Sequence, residues 1–178
     1  GVNYSPSSSA TAELAAMYNK KGSIHEWTKA ADIYGKPGNE ARAFCLFASF
    51  GSALFKFTKL NGGIIHLTNN DSGGGKTTIQ FMCNSVWGRP METLMTQEDK
   101  LLARLHRLSI LGNISATIDE LTNAKDEEIS SMAYATTHGR GRNRMQSQVN
   151  AERSNLLRWS LIAITSGNKS LYDQLYNL

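Results

Sequence analysis

Ser72-Gly73-Gly74-Gly75-Lys76-Thr77-Thr78 is the stretch on which the fold turns. It follows an apolar, strand-like segment, Gly63-Ile64-Ile65-His66-Leu67-Thr68, and leads into a helix-like one, Thr78 to Trp87. Strand, glycine loop, Lys-Thr and helix, in that order, are the context a phosphate-binding P-loop requires. Backbone N–H groups converge on phosphate oxygens only where glycine lets the chain come that close. The helix N-terminus adds unpaired N–H groups and a partial positive charge. Lys76 can reach the β- and γ-phosphates of ATP, and the Thr77 hydroxyl can ligate Mg2+. The expected ATP contacts are Asp71, Ser72, Gly73, Gly74, Gly75, Lys76, Thr77 and Thr78. In the pattern G-x-x-x-x-G-K-[ST] the first glycine position holds Asn70, which tolerates left-handed backbone angles. A glycine-rich turn with a chance Lys-Thr is the competing reading, and the flanking strand and helix count against it.

Ile114-Ser115-Ala116-Thr117-Ile118-Asp119-Glu120 is a second signal. An apolar strand ending in Asp-Glu suits the other half of an ATPase site: Asp119 orients magnesium and Glu120 polarises the attacking water. In an additional-strand ATPase a strand sits between the P-loop strand and the Asp-Glu strand, and Glu92–Met95 is the expected insert. Thr122 and Asn123 either help position the site or cap a helix. A third signal is the apolar strand Leu161–Ser166 followed by Gly167-Asn168. Asn168 is expected at the carboxyl edge of the sheet, holding the attacking water or contacting the γ-phosphate. A turn Asn capping the next helix is the alternative. The catalytic set is therefore Lys76, Glu120 and Asn168, with Thr77 and Asp119 at the metal.

A fourth signal, Thr137-His138-Gly139-Arg140-Gly141-Arg142-Asn143-Arg144, lies between the Asp-Glu strand and the Asn168 strand. Arg140, Arg142, Arg144, Arg153 and Arg158 fall within one short stretch opposed only by Glu152. Arginine binds phosphate bidentately. The stretch contacts nucleic-acid backbone, contacts a neighbouring subunit's ATP, or is a solvated loop.

With 178 residues, 40% of them hydrophobic, a single domain with a sizeable core is the default. The net charge of +4 and pI of about 9.1 favour an anionic partner. No apolar run reaches the roughly 18 to 20 residues of a membrane helix. The amino terminus does not read as a signal peptide. Cys45 and Cys83 sit in apolar segments and read as buried thiols, which suits a cytoplasmic setting. Gly1 in place of Met, and an end at Leu178 inside a helix-like run, lead us to expect an excised piece.

Outward from the glycine loop, we expect helices over Ala10–Asn19, Ile24–Tyr34 and Glu40–Lys56, the last of them buried. Residues 1–60 thus read as a helical layer ahead of a core at 61–178. In that core, strands at Ile64–Thr68, Ile114–Leu121 and Leu161–Ser166 alternate with helices at Lys76–Trp87, Gln97–Leu108, Asp126–His138 and Asn168–Leu175. Leu101, Leu102, Leu105 and Leu108 read as core. Such alternation predicts an α/β fold, a parallel sheet flanked by helices.

The glycine loop, the Asp-Glu strand, the basic segment and the Asn168 strand, in this order over roughly residues 45–175, resemble the superfamily 3 helicases of viruses, phages and plasmids. The resemblance implies an AAA+-like ATPase core that assembles into a ring, usually a hexamer. It implies ATP-driven translocation on single-stranded DNA during replication, in a phage helicase or helicase-primase, in the bacterial host cytoplasm. That family carries basic residues into the ring channel on a hairpin before the Asn strand, and Met145–Arg158 corresponds to it here. Its arginine finger lies beyond the Asn strand. The rival readings are a RecA-like packaging motor, a helicase loader, a nucleotide-binding module inactive in isolation, and a small-molecule kinase.

Overall fold

The computed structural model of the protein describes residues 8–69, 73–122, 124–141 and 157–176. Four strands form one sheet: β1 (Gly62–Thr68), β2 (Met95–Thr96), β3 (Ala116–Asp119) and β4 (Leu161–Gly167). Their order is β1-β4-β3-β2 and every pairing is parallel. The long β1–β4 pairing runs in register from Gly62 opposite Leu161 to Thr68 opposite Gly167. Parallel strands need crossovers, and helices supply them: α4 (Lys76–Ser85), α5 (Leu101–Leu111) and α6 (Asp126–His138). Three helices precede β1, namely α1 (Ser9–Met17), α2 (Ile24–Ala31) and α3 (Glu40–Ser52), and α7 (Leu171–Tyr176) follows β4.

Both faces of the sheet are covered, so its central strands alternate between two cores. Ile162 and Ile164 face Cys45, Leu46, Ile79 and Cys83 of α3 and α4. Leu161 and Ala163 face Leu105, Leu108, Met132 and Ala135 of α5 and α6. Each fully buried leucine or isoleucine here contributes roughly 1.5–3 kcal/mol. Both cysteines are buried free thiols. Burial raises the Cys83 thiol to about 12, with the nearby Cys45 adding to the effect.

Three expectations need correction. The strand lying between β1 and β3 is β4, whereas the short strand at Met95–Thr96 lies outside β3 at the sheet's edge. It stays short because the Asp99 carboxylate takes the Thr96 N–H at 2.9 Å and turns the chain. The third helix ends at Ser52 and gives way to a 3-10 turn at Phe55–Phe57. It is buried on one side only: Cys45, Leu46, Ser49 and Ser52 face inward, while Phe44, Phe47 and Phe50 are exposed. Two serines permit the close approach. Ser49 donates to the Cys83 carbonyl at 2.9 Å, and Ser52 accepts the Ile162 N–H at 2.9 Å. In α5, Leu102 is 53% exposed and Arg104 is buried in its stead. Arg104 donates to the Asp99 carbonyl and forms an ion pair with Glu128, which lets a cation sit inside.

Candidate active site

All four strands point the same way, so whatever follows them gathers at one edge of the sheet. The glycine loop follows β1, Glu120 follows β3 and Asn168 follows β4. Asn70, Asp71, Ser72 and Asn123 lie outside the described residues. Gly75 caps α4 with a left-handed φ of 78°, a conformation that favours glycine. No side chain caps that helix, and its first backbone bond runs from Ile79 N–H to the Gly75 carbonyl. The N–H groups of Lys76, Thr77 and Thr78 therefore have no helical partner.

Two long-range hydrogen bonds join the three strand ends. The Lys76 ammonium donates to the Asn168 side-chain oxygen at 2.9 Å and to the Asn69 carbonyl at 3.1 Å. The Thr77 hydroxyl donates to Asp119 Oδ2 at 3.0 Å. Asp119 Oδ1 accepts the Ser166 hydroxyl in a close contact and the Glu120 N–H at 3.1 Å. Glu120 is the non-glycine residue with positive φ among the described residues, at 53°. Ser166 holds it there, since its hydroxyl accepts the Glu120 N–H at 3.0 Å and its carbonyl accepts the Leu121 N–H at 2.8 Å. A non-glycine residue in that region costs on the order of 1–3 kcal/mol, persists only where its surroundings hold it, and such residues cluster at functional sites. Glu120 Oε1 is buried with no hydrogen-bond partner. A carboxylate oxygen in that condition wants a donor, and a water or a hydroxyl proton is one.

The structure thus brings Lys76, Thr77, Asp119, Glu120 and Asn168 together, beside Gly73, Gly74 and Gly75. Four further residues hold the cluster in place. Gln80 is fully buried, and its amide donates to the Ile118 and Ile164 carbonyls at 3.0 and 3.2 Å, fastening α4 to β3 and β4. Thr122 accepts the Asn168 N–H at 2.7 Å. Arg42, on α3, donates to the Gly74 carbonyl at 3.1 Å. Ser166 clamps the Asp-Glu pair as described. Gln80 and Arg42 sit one helical turn or many residues away from any motif, and no local signal marks them.

The arginines lie elsewhere. Arg142, Arg144 and Arg153 are outside the described residues. Arg140 and Arg158 face each other in an antiparallel bridge, flanked by a Trp159 N–H to Gly139 carbonyl bond at 3.0 Å. They precede β4 and so stand at the amino edge, the opposite end from Lys76. A cavity of about 620 Å³ opens there, lined by Lys56, His138, Arg140 and Arg158 with Asn61 and Asn113. Another, of about 320 Å³, is lined by Tyr18, Trp27, Phe50 and Trp87 and by none of the residues at the carboxyl edge.

Among solved structures, the chain is similar to one described as the SCCmec type IV Cch, an active helicase. The TM-score is 0.66 at 21% identity, over 90% of this chain and 30% of that one. The likeness shows a shared fold, a parallel sheet flanked by helices, and the chain spans under a third of the helicase's length. No curated protein matches. No helix among the described residues is long and apolar enough to cross a membrane. The family model that matches covers residues 4–155, most of the chain, so the chain belongs to the DUF927 family, a domain of unknown function.

Proposed function

We propose that the chain is an ATP-binding and ATP-hydrolysing P-loop domain, the motor core of a helicase acting on single-stranded DNA. The observation that carries the reading is the convergence at one sheet edge of Lys76 with Asn168, Thr77 with Asp119, and a Glu120 oxygen left without a partner. The fold shared with a helicase supports it.

In this reading the glycine loop and the free N–H groups of Lys76, Thr77 and Thr78 bind the phosphates. Lys76 neutralises charge on the β- and γ-phosphoryl oxygens. Thr77 and Asp119 offer the hard oxygen ligands that Mg2+ prefers, and the bound ion adds further charge neutralisation there. Asn168, held beside Lys76, positions the attacking water. That water's oxygen bonds to the γ-phosphorus, its proton passes to the Glu120 carboxylate, and ADP departs with the bridging oxygen. Catalysis is then chiefly positioning and electrostatic stabilisation.

The amino-edge cations bind the DNA backbone. Like charges directly opposite in a strand pair are destabilising, and Arg140 has Arg158 opposite it. An anion across the pair relieves that repulsion. Assembly into a ring, usually a hexamer, and a cytoplasmic setting complete the proposal.

The test is ATP hydrolysis by the 178-residue chain with Mg2+, with and without single-stranded DNA. Turnover that rises with DNA is expected. Absence of both nucleotide binding and turnover sinks the reading.

A further inference from the structure

His66 lies on β1, opposite Thr165 of β4, and belongs to none of the motifs. Its ring bridges two segments. Nε2 lies 3.0 Å from the Lys169 carbonyl and Nδ1 lies 2.8 Å from the Thr165 hydroxyl. A carbonyl only accepts, so Nε2 carries the proton. Nδ1 of the neutral ring then accepts from Thr165, whose alternative acceptor, the Ile65 carbonyl, is a poor 3.5 Å away. One tautomer of the neutral ring satisfies both contacts. Gly167 leaves room for it: a Cβ there would stand 3.2 Å from the ring's Cε1 and 3.4 Å from the Thr122 hydroxyl.

The two residues between Gly167 and Ser170 are Asn168 and Lys169, both exposed. This exposed turn is pinned from one side by Thr122, which accepts the Asn168 N–H, and from the other by His66, which donates to the Lys169 carbonyl. Between those pins stands the Asn168 side chain that meets Lys76 at 2.9 Å. We infer that His66 is a positioning residue, fixing the Asn168 turn to the end of β1 so that Asn168 meets Lys76 and the γ-phosphate in one geometry. The inference rests on the ATPase reading above.

The test compares the parent chain with His66→Ala, His66→Gln, Asn168→Ala and the double variant His66→Ala/Asn168→Ala. Without nucleotide, amide hydrogen exchange at residues 168–170 should quicken in His66→Ala and return to the parental rate in His66→Gln, which keeps a donor. Unchanged exchange in His66→Ala overturns the proposal. With ATP and Mg2+, kcat of His66→Ala should fall by about tenfold to a hundredfold, as a misplaced group does, with ATP affinity unmoved. The double variant should be no slower than Asn168→Ala alone. Losses that multiply overturn the action through Asn168. A parental chain that binds no ATP overturns the ATPase reading instead, and the exchange measurement then shows a turn-holding contact with no catalytic part.

Discussion

The two ends of this sheet use the same material in opposite ways. At the carboxyl edge Lys76 and Asp119 are engaged by their neighbours, and an oxygen of Glu120 is not. Lys76 has Asn168 and Asn69, and Asp119 has Thr77 and Ser166. At the amino edge Arg140 and Arg158 face each other, and Lys56 and His138 line the same cavity with no carboxylate among its described residues. Polar groups held by one another are poised for a reaction that tolerates little movement. Exposed arginines that face one another beside a cavity without a described carboxylate are suited to a long, irregular anion that approaches from solvent. Under the proposed function the contrast separates chemistry from grip, and each end should be open to damage without the other.

The largest expected effect tests the unpartnered oxygen. Glu120→Gln keeps the shape of the side chain but removes a carboxylate able to accept a proton. Hydrolysis should fall by about 10² to 10⁴, the usual contribution of a general base, while ATP binding persists. Single-turnover kinetics measures this, and a parental rate would show that Glu120 is not the base.

Lys76→Ala comes next. It removes the ammonium that faces Asn168 and leaves the amino-edge cations untouched. A hydrogen bond to a charged group is worth about 1.5–3 kcal/mol, so ATP affinity should drop by at least about tenfold. Titration with a fluorescent ATP analogue reads it. DNA affinity in the absence of nucleotide should not change, and if it falls along with ATP affinity the two ends are not separate.

Arg140→Ala/Arg158→Ala is the reciprocal damage. It should weaken binding to single-stranded DNA at every sequence tested. It should also flatten the salt dependence by about 0.7 per lost phosphate contact, up to about 1.4 for the pair. Nucleotide binding should survive. If the arginines serve a neighbour's ATP instead, DNA affinity holds and hydrolysis falls.

How much of this the sequence disclosed follows from the range of the signals. The alternation of apolar runs with 3.6-residue periodicity marks α4 and α6 closely, since such patterns are local. Asp119 and Glu120 are legible because an apolar strand runs directly into them. The spatial order of strands is not local, and the position of β4 between β1 and β3 appears only in the pairing. Burial of Arg104 in place of Leu102 depends on Glu128, well down the chain, and periodicity alone cannot supply that partner. Ser166, Gln80 and His66 act through groups distant in the sequence, so they look like ordinary core or edge residues there. The left-handed backbone of Glu120 has no sequence signature, because Glu does not favour it.

The smallest expected effect is one of pH, and it sharpens the carboxyl-edge half of the contrast. Burial lowers the proton affinity of His66 below the ordinary imidazole value, and the charge of Lys76 acts in the same direction. The Lys169 carbonyl and Glu120 oppose them without prevailing. The folded chain therefore favours the neutral ring, as the Nε2–H tautomer between Lys169 and Thr165 requires. The sign follows from linkage: in acid the unfolded chain takes up a proton at this ring before the folded chain does. The contribution of His66 to stability is thus fully present above about pH 6.5. It declines as pH falls through that value toward the lower folded one. Thermal unfolding of the parent should show a modest loss of Tm on acidification across this window, beyond that of His66→Gln, which has no ring to protonate. Equal slopes for the two would mean that the imidazole is not held neutral by this network. An opposite slope would mean that Glu120 outweighs burial and keeps the ring charged, which would place a cation beside the oxygen that the mechanism needs free.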